Sequence, residues 1–189
     1  MRFSLLLAAA PFALAACAQP AEESEAAAGT DTAATATPTD TAMADPAAAP
    51  GATDPQGFVN TAAASDMFEI ESGKLAQANG KSEAVKEFGG MLVRDHTKST
   101  AELKTAAGSA NVTPAPEMTA KQQSDLAALR TAGENFDTLF KQQQVAAHEQ
   151  ALALLRSQAE NGTAASLKAF AAKTAPVVEQ HLQQVRQLP

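Results

Sequence analysis

The sequence predicts an all-α protein: an antiparallel four-helix bundle with one extra short helix, preceded by a disordered tether. Three observations carry this. From residue 58 onward Ala, Gln, Lys, Glu and Leu dominate and runs of β-branched residues are absent, so nothing there reads as a strand. Turn and capping signals cut that stretch into four long pieces and one short one. Residues 17–57, by contrast, are Ala, Thr, Pro, Gly and acids without an aromatic side chain. The roughly 130 residues that follow are enough for one domain with a real core.

The chain opens with Arg2 and an apolar stretch from Phe3 to Ala16, interrupted only by Ser4 and Pro11. This is the pattern of a cleaved signal peptide over residues 1–16, too short for the about 20 apolar residues that cross a bilayer. Leu14-Ala15-Ala16-Cys17 looks like the lipobox of bacterial lipoproteins, whose cysteine is acylated and becomes the new N-terminus. Cys17 is the only cysteine in the chain. Lipidation therefore accounts for a thiol that would otherwise stay free in an oxidising compartment. One acyl chain anchors only marginally, and lipoproteins resembling this one carry several. Ala18, not an acidic residue, follows the cysteine, which points to the periplasmic face of the outer membrane. The expected partner is thus a membrane, reached through Cys17.

Residues 17–57 then form the acidic tether. Glu22, Glu23, Glu25, Asp31, Asp40, Asp45 and Asp54 lie there with no Lys or Arg. Such a segment buries too little apolar surface to offset its ordering entropy. Residues 58–189 hold 14 acids against 13 Lys and Arg, so the net charge of −7 belongs to the tether. A nearly neutral domain excludes nucleic acid, which calls for a basic face, and offers no attraction to anionic lipid.

Asp54-Pro55 caps and starts a first helix that Asn79-Gly80 ends. Ser82 caps a second, running to about Ala110 before the breaker Pro114-Ala115-Pro116. Thr119 with Gln122 forms a capping box for a short helix stopping near Gly133. The fourth runs from about Asn135 to Glu160, ended by Asn161-Gly162. The fifth spans about Thr163 to Leu188, with a kink expected at Pro176.

Helical periodicity assigns the inward faces. Val85, Phe88, Leu92, His96, Ser99 and Leu103 form one stripe on the second helix. Phe140, Gln144, His148, Ala151, Leu152 and Leu155 do so on the fourth, and Leu167, Phe170, Thr174, Val178, His181 and Val185 on the fifth. All three histidines of the chain thus fall on apolar stripes of different helices. Either each is a neutral core residue held by a carboxylate or carbonyl, or they converge with acids of the first helix on a metal. Glu69 and Glu71 are the acids available. Glu71 shares a face with Met67, Phe68 and Leu75, and Glu69 with Ala62, Gly73 and Ala76, small residues that let another helix approach.

Two checks bear on the metal reading. A di-iron carboxylate bundle needs Glu three residues before His on two helices, but Val93, Val145 and Val178 stand there. If the first two helices form a hairpin about Gly80-Lys81, His96 lies opposite Ser65 or Asp66. Glu69 is then offset by roughly 6 Å at about 1.5 Å per residue, and His148 against His181 shows a similar mismatch. Imidazole-rich ligation favours zinc, copper or a single iron over a carboxylate-bridged pair. Asp95 points about 100° away from His96 and reads as a surface or interhelical partner of arginine. Asp137 sits at the start of the fourth helix, where an acid suits the dipole and can cap. Glu149 and Glu179 read as solvated. No Gly-rich phosphate loop, paired-cysteine knuckle or nucleophilic-serine motif is present, and no catalytic residue is identified. Tyr and Trp are absent, which removes tyrosyl radical chemistry.

Phe58-Val59, the run Phe68 to Ala76, Val85-Lys86-Glu87-Phe88 and Met91-Leu92-Val93-Arg94-Asp95-His96 form a recurring set with Phe136-Asp137, Gln144-Val145-Ala146-Ala147-His148 and His181-Leu182. The set resembles the bacterial envelope family called domain of unknown function 4142, over nearly all of residues 58–188. The resemblance implies a ferritin-like fold and an outer-membrane or secreted address. It implies functional weight at Glu69, Asp95, His96, Asp137, His148 and His181, and it supplies no established activity. Phe140 stands where many relatives would have Tyr, which tells against redox chemistry. Two functions follow as expectations. One is an envelope-anchored, non-catalytic module for binding a protein partner or tolerating stress. The other is a metal-binding or metal-oxidising bundle using the core histidines.

Overall fold

The computed structural model describes residues 54–189. Cys17, the signal segment and all of the tether before Asp54 lie outside the described residues. Five α-helices are present: α1 (Pro55–Asn79), α2 (Glu83–Ser109), α3 (Ala120–Thr131), α4 (Phe136–Asn161) and α5 (Ala165–Gln187). A single 3₁₀ turn, Gly133–Asn135, leads into α4, and among the described residues there is no strand. Pro55, Gln56 and Gly57, counted with the tether above, form the first turn of α1 under the Asp54 cap, whose carboxylate accepts from Gly57 N–H at 2.7 Å.

The helix ends follow local chemistry. Ser82 caps α2 through Val85 N–H, and Thr119 and Gln122 close the capping box of α3. The α2 end is set by Asn111, which takes φ +56° so that Val112 N–H reaches back to the Ala107 carbonyl at 3.0 Å. Gly80 ends α1 for want of space, not by a left-handed turn. Its φ is −55°, but a Cβ there would stand 2.6 Å from the Ala76 carbonyl oxygen. Pro176, expected to kink the last helix, is accommodated within the single helix α5.

α1 packs along α2 and α4 along α5; the two pairs meet through α1 against α4 and α2 against α5, while α3 covers α1 and α4. In the first hairpin, paired positions step in opposite directions: Gly73 faces Gly89, and Asp66 faces His96. The glycines allow the two backbones a close approach. A Cβ on Gly73 would lie 2.7 Å from the Gly89 carbonyl oxygen, and one on Gly89 2.7 Å from the Ala76 Cβ. The core is aliphatic and phenylalanine-rich, with Phe58, Phe68, Phe88, Phe136, Phe140 and Phe170 all buried. Burial of an aromatic or leucine side chain contributes about 1.5–3 kcal/mol each. Among the described residues, no helix is long and apolar enough to cross a membrane.

Candidate metal centre

In the middle of this apolar core sits a layer of polar side chains. Glu69 of α1, His96 of α2, Gln144 and His148 of α4 and His181 of α5 are each 6 % exposed or less. They reach it because each occupies an inward position of an otherwise hydrophobic stripe.

The three imidazoles come together. Ring centroids are 5.6 Å apart for His148 and His181, 5.7 Å for His96 and His181, and 6.1 Å for His96 and His148. One ligand nitrogen from each lies within 4.8 Å of the other two. The level mismatch anticipated for His148 and His181 is therefore closed. Helical side chains lean towards their own helix N-terminus. On α4 that direction leads away from the α4–α5 turn, and on α5 it leads back towards it. His181 lies farther from the turn than His148, so the two rings lean into one level.

Each ring is held by one nitrogen from outside. His96 Nδ1 donates to Asp66 Oδ1 at 2.7 Å, and the single Thr100 hydroxyl hydrogen has two acceptors in reach, the His96 carbonyl at 2.9 Å and the other Asp66 oxygen at 3.2 Å. His148 Nδ1 donates to the Gln144 carbonyl at 2.8 Å. His181 Nε2 donates to Asp95 Oδ2 at 3.1 Å. A carbonyl or carboxylate only accepts, so in the neutral rings the lone pairs sit on His96 Nε2, His148 Nε2 and His181 Nδ1. Those three nitrogens are buried and have no hydrogen-bond partner.

The electrostatics favour uncharged imidazole at two of the three positions. Burial pushes His148 down to about 3, with the charge on His96 adding to the effect. Burial, then the His96 charge, also lowers His181, against the pull of Asp95. For His96 burial works in the same sense, but the Asp66 hydrogen bond and the nearby carboxylates outweigh it and raise its pKa. Burial also raises Glu69 to about 7, with His96 opposing and Asp66 assisting.

The candidate acids divide. Glu69 is buried against the histidines, with both oxygens unpartnered. Its closest approach is 3.7 Å from His148 Nδ1, a nitrogen already committed to Gln144, and this is too long for a hydrogen bond. Glu71 does not join the layer: it is half exposed and pairs with Lys74 at 2.7 Å, because two residues on from Glu69 the helix has turned outward. Asp95 is an interhelical partner, of His181 instead of an arginine. Asp137 caps a helix other than its own. Its two oxygens accept from Lys81 N–H and Ser82 N–H at 2.8 Å each, ahead of α2, and these bonds outweigh burial to lower its pKa. Glu149 and Glu179 lie on the surface, paired with Arg186 and Arg156.

Three participants were missed from the sequence. Asp66 is the partner of His96, and the hairpin count that placed it opposite was the available signal. Ser72 accepts from Gln144 Nε2 at 2.9 Å, a buried cross-helix bond with no sequence mark of its own. Thr100 is one helical turn beyond His96, with its hydroxyl between the His96 carbonyl and the Asp66 carboxylate.

Comparison with curated proteins and with solved structures gives no match. The model of the family described as domain of unknown function (DUF4142) matches residues 37–188, most of the chain, and the chain belongs to that family.

Proposed function

We propose that this protein is an envelope-anchored, ferritin-like four-helix bundle that binds one transition-metal ion on His96, His148 and His181. The observation that carries the reading is the set of three buried, unpartnered imidazole nitrogens, each ring locked by an acceptor on its far side. Leaving a buried acceptor unmet costs about 1–3 kcal/mol. With all three rings neutral, one water has two hydrogens to give, fewer than the three acceptors. A metal ion serves all three at once. The carboxylate or carbonyl behind each ring is the support that ligating histidines use to fix their tautomer and raise their basicity. Tetrahedral zinc at about 2.0–2.1 Å from each nitrogen sets them about 3.3 Å apart, which small side-chain rotations reach from a spacing within 4.8 Å. Three nitrogen donors suit zinc, copper or a single iron. Glu69 stands beside the site as a buried acid that can balance the metal's charge.

The anchor belongs to the same proposal. Lipidated Cys17 and the acidic segment before Asp54 would hold the domain at the periplasmic side of the outer membrane, with the signal peptide of residues 1–16 removed. The other reading is a non-catalytic module that binds a protein partner or serves stress tolerance. Among the described residues only Met67 and Val177 are large hydrophobics left exposed, too few for a contiguous patch.

Thermal melting of chelator-stripped protein with added Zn²⁺ or Cu²⁺ tests the metal reading. At a hundredfold excess over Kd the gain of about 2.7 kcal/mol corresponds to a rise of roughly 10 °C. Single His→Ala changes at the three positions should remove that rise. An unchanged melting temperature in the parent, with no metal retained on elemental analysis, rejects the site. For the anchor, an acyl-chain analogue should label the parent and not Cys17→Ser.

A further inference from the structure

The histidine layer borders open space. A cavity of about 40 Å³ lies between α1, α2, α4 and α5, and the rings of His96 and His181 form part of its wall, while His148 and Glu69 do not. Most of the remaining wall is hydrocarbon, from Ala151, Leu154, Leu155, Phe170 and Val178. Asp66 and Asp95 also border it, but each already holds a histidine. The volume takes about two or three water-sized groups.

The cavity has an entrance. Asp95, Ser99, Thr174 and Val177 border both it and a wider cleft of about 140 Å³ between α2 and α5, where Lys98, Glu102 and Lys173 stand. Val177 is 41 % exposed and the Asp95 side chain 40 %, so this throat reaches solvent.

We infer that the bound metal keeps a coordination position open towards this cavity, for an exogenous ligand of two or three heavy atoms. The inference rests on the three-histidine reading above. Sites with three protein ligands keep a fourth position for water or substrate, whereas closed structural sites use four protein ligands. Here the side facing the cavity presents, besides the two histidines and their aspartates, only the neutral hydroxyls of Ser65, Ser99 and Thr174, and no further cysteine, histidine or carboxylate that is free. A mostly apolar wall gives a polar organic substrate few groups to bond, the hydroxyls of Ser65, Ser99 and Thr174, and penalises unpaired charge. Selection is therefore by size and by the metal bond itself: a small ligand enters, and anything of ring size is excluded by volume.

Cobalt(II) loaded into the full-length protein in detergent gives a visible spectrum that reports the coordination sphere, and azide is a three-atom probe. Azide should shift that spectrum saturably, and benzoate should leave it unchanged. Ala151→Leu, which fills the cavity, should retain the cobalt spectrum and weaken azide binding roughly tenfold or more. Val177→Trp, a change at the exposed throat with little bearing on folding, should slow azide association in stopped flow. Cobalt that binds but ignores azide overturns this inference and leaves the three-histidine site standing. An azide response untouched by both variants also overturns it. Failure of cobalt to bind at all removes the metal reading and this inference together.

Discussion

The two helical hairpins bring different chemistry to the centre. The α1–α2 hairpin supplies the carboxylates, Asp66, Glu69 and Asp95, with one histidine; the α4–α5 hairpin supplies two histidines and a carbonyl. The first also brings its backbones into close approach, through Gly73 and Gly89. The Asp66–His96 unit is complete within one hairpin. The pair Asp95–His181 and the contact of Glu69 with His148 exist only once the hairpins meet. One hairpin is therefore preset, and the site as a whole reports the docking of both. A metal bound to all three imidazoles would tie the hairpins together, which is how a small ion stabilises a whole domain.

The largest break in that comparison is steric. Gly89→Val puts a branched side chain against the Ala76 Cβ and the Gly73 backbone, neither of which is a flexible end that can move aside. We expect a loss of about 3 kcal/mol or more in urea unfolding, since overpacking typically costs 1–3 kcal/mol and backbone contacts relax least. Gly108→Ala, with open space around its Cβ, is the control and should be neutral or slightly stabilising.

The second break separates the preset carboxylate from the one that depends on docking. Asp66→Asn keeps the shape but weakens the buried support of His96, and metal affinity should fall about 10–100-fold by competition titration. Asp95→Asn should sit at the low end of that range, because the Asp95 side chain is 40 % exposed and water can replace it at His181. Equal losses would show that burial of the supporting group does not matter here.

A pH titration of the metal-free protein sharpens the comparison further, because the two hairpins carry opposite linkages. Glu69 is raised from 4.5 to about 7, so the stability it contributes is full below pH 4.5 and is lost as pH rises towards 7. His148 is lowered from 6.5 to about 3, so its contribution is full above pH 6.5 and is lost as pH falls towards 3. His181 adds to the acid arm and His96 opposes it. Between pH 4.5 and 6.5 the Glu69 and His148 slopes offset one another, leaving a plateau. Glu69→Gln should replace that plateau with stability still rising to pH 6.5, read from chemical denaturation at each pH.

Most of the helical layout was legible because its signals are local. The Thr119–Gln122 box, the Ser82 cap and the Asp54-Pro55 start each specify a helix end within four residues. Stripe periodicity placed all three histidines inside for the same reason. What could not be read is the lean of side chains along their helices, which turns an apparent mismatch of His148 and His181 into a 5.6 Å ring contact. Asp95 shows the same limit in rotation: it sits beside His96 in sequence yet serves His181 on another helix. Asp137 shows it in topology, since a cap on a neighbouring helix leaves no trace in either segment alone.

The smallest effect is expected where sequence offered two acids and the structure separates them. Glu69 and Glu71 are two positions apart, about 200° round the helix, so only one can face inward. Glu69 is buried against the histidines, and Glu71 is half exposed in an i, i+3 pair with Lys74. Exposed pairs of that kind contribute at most about 0.5 kcal/mol. Glu71→Ala should therefore change unfolding stability by no more than about that amount and leave zinc affinity and the pH plateau as in the parent. Glu69→Ala, on the same helix and of the same chemistry, should alter the pH plateau while the metal-free fold persists. If Glu71→Ala changed metal affinity as much as Asp66→Asn does, the assignment of the inward face of α1 would be wrong, and with it the division of carboxylates and imidazoles between the two hairpins.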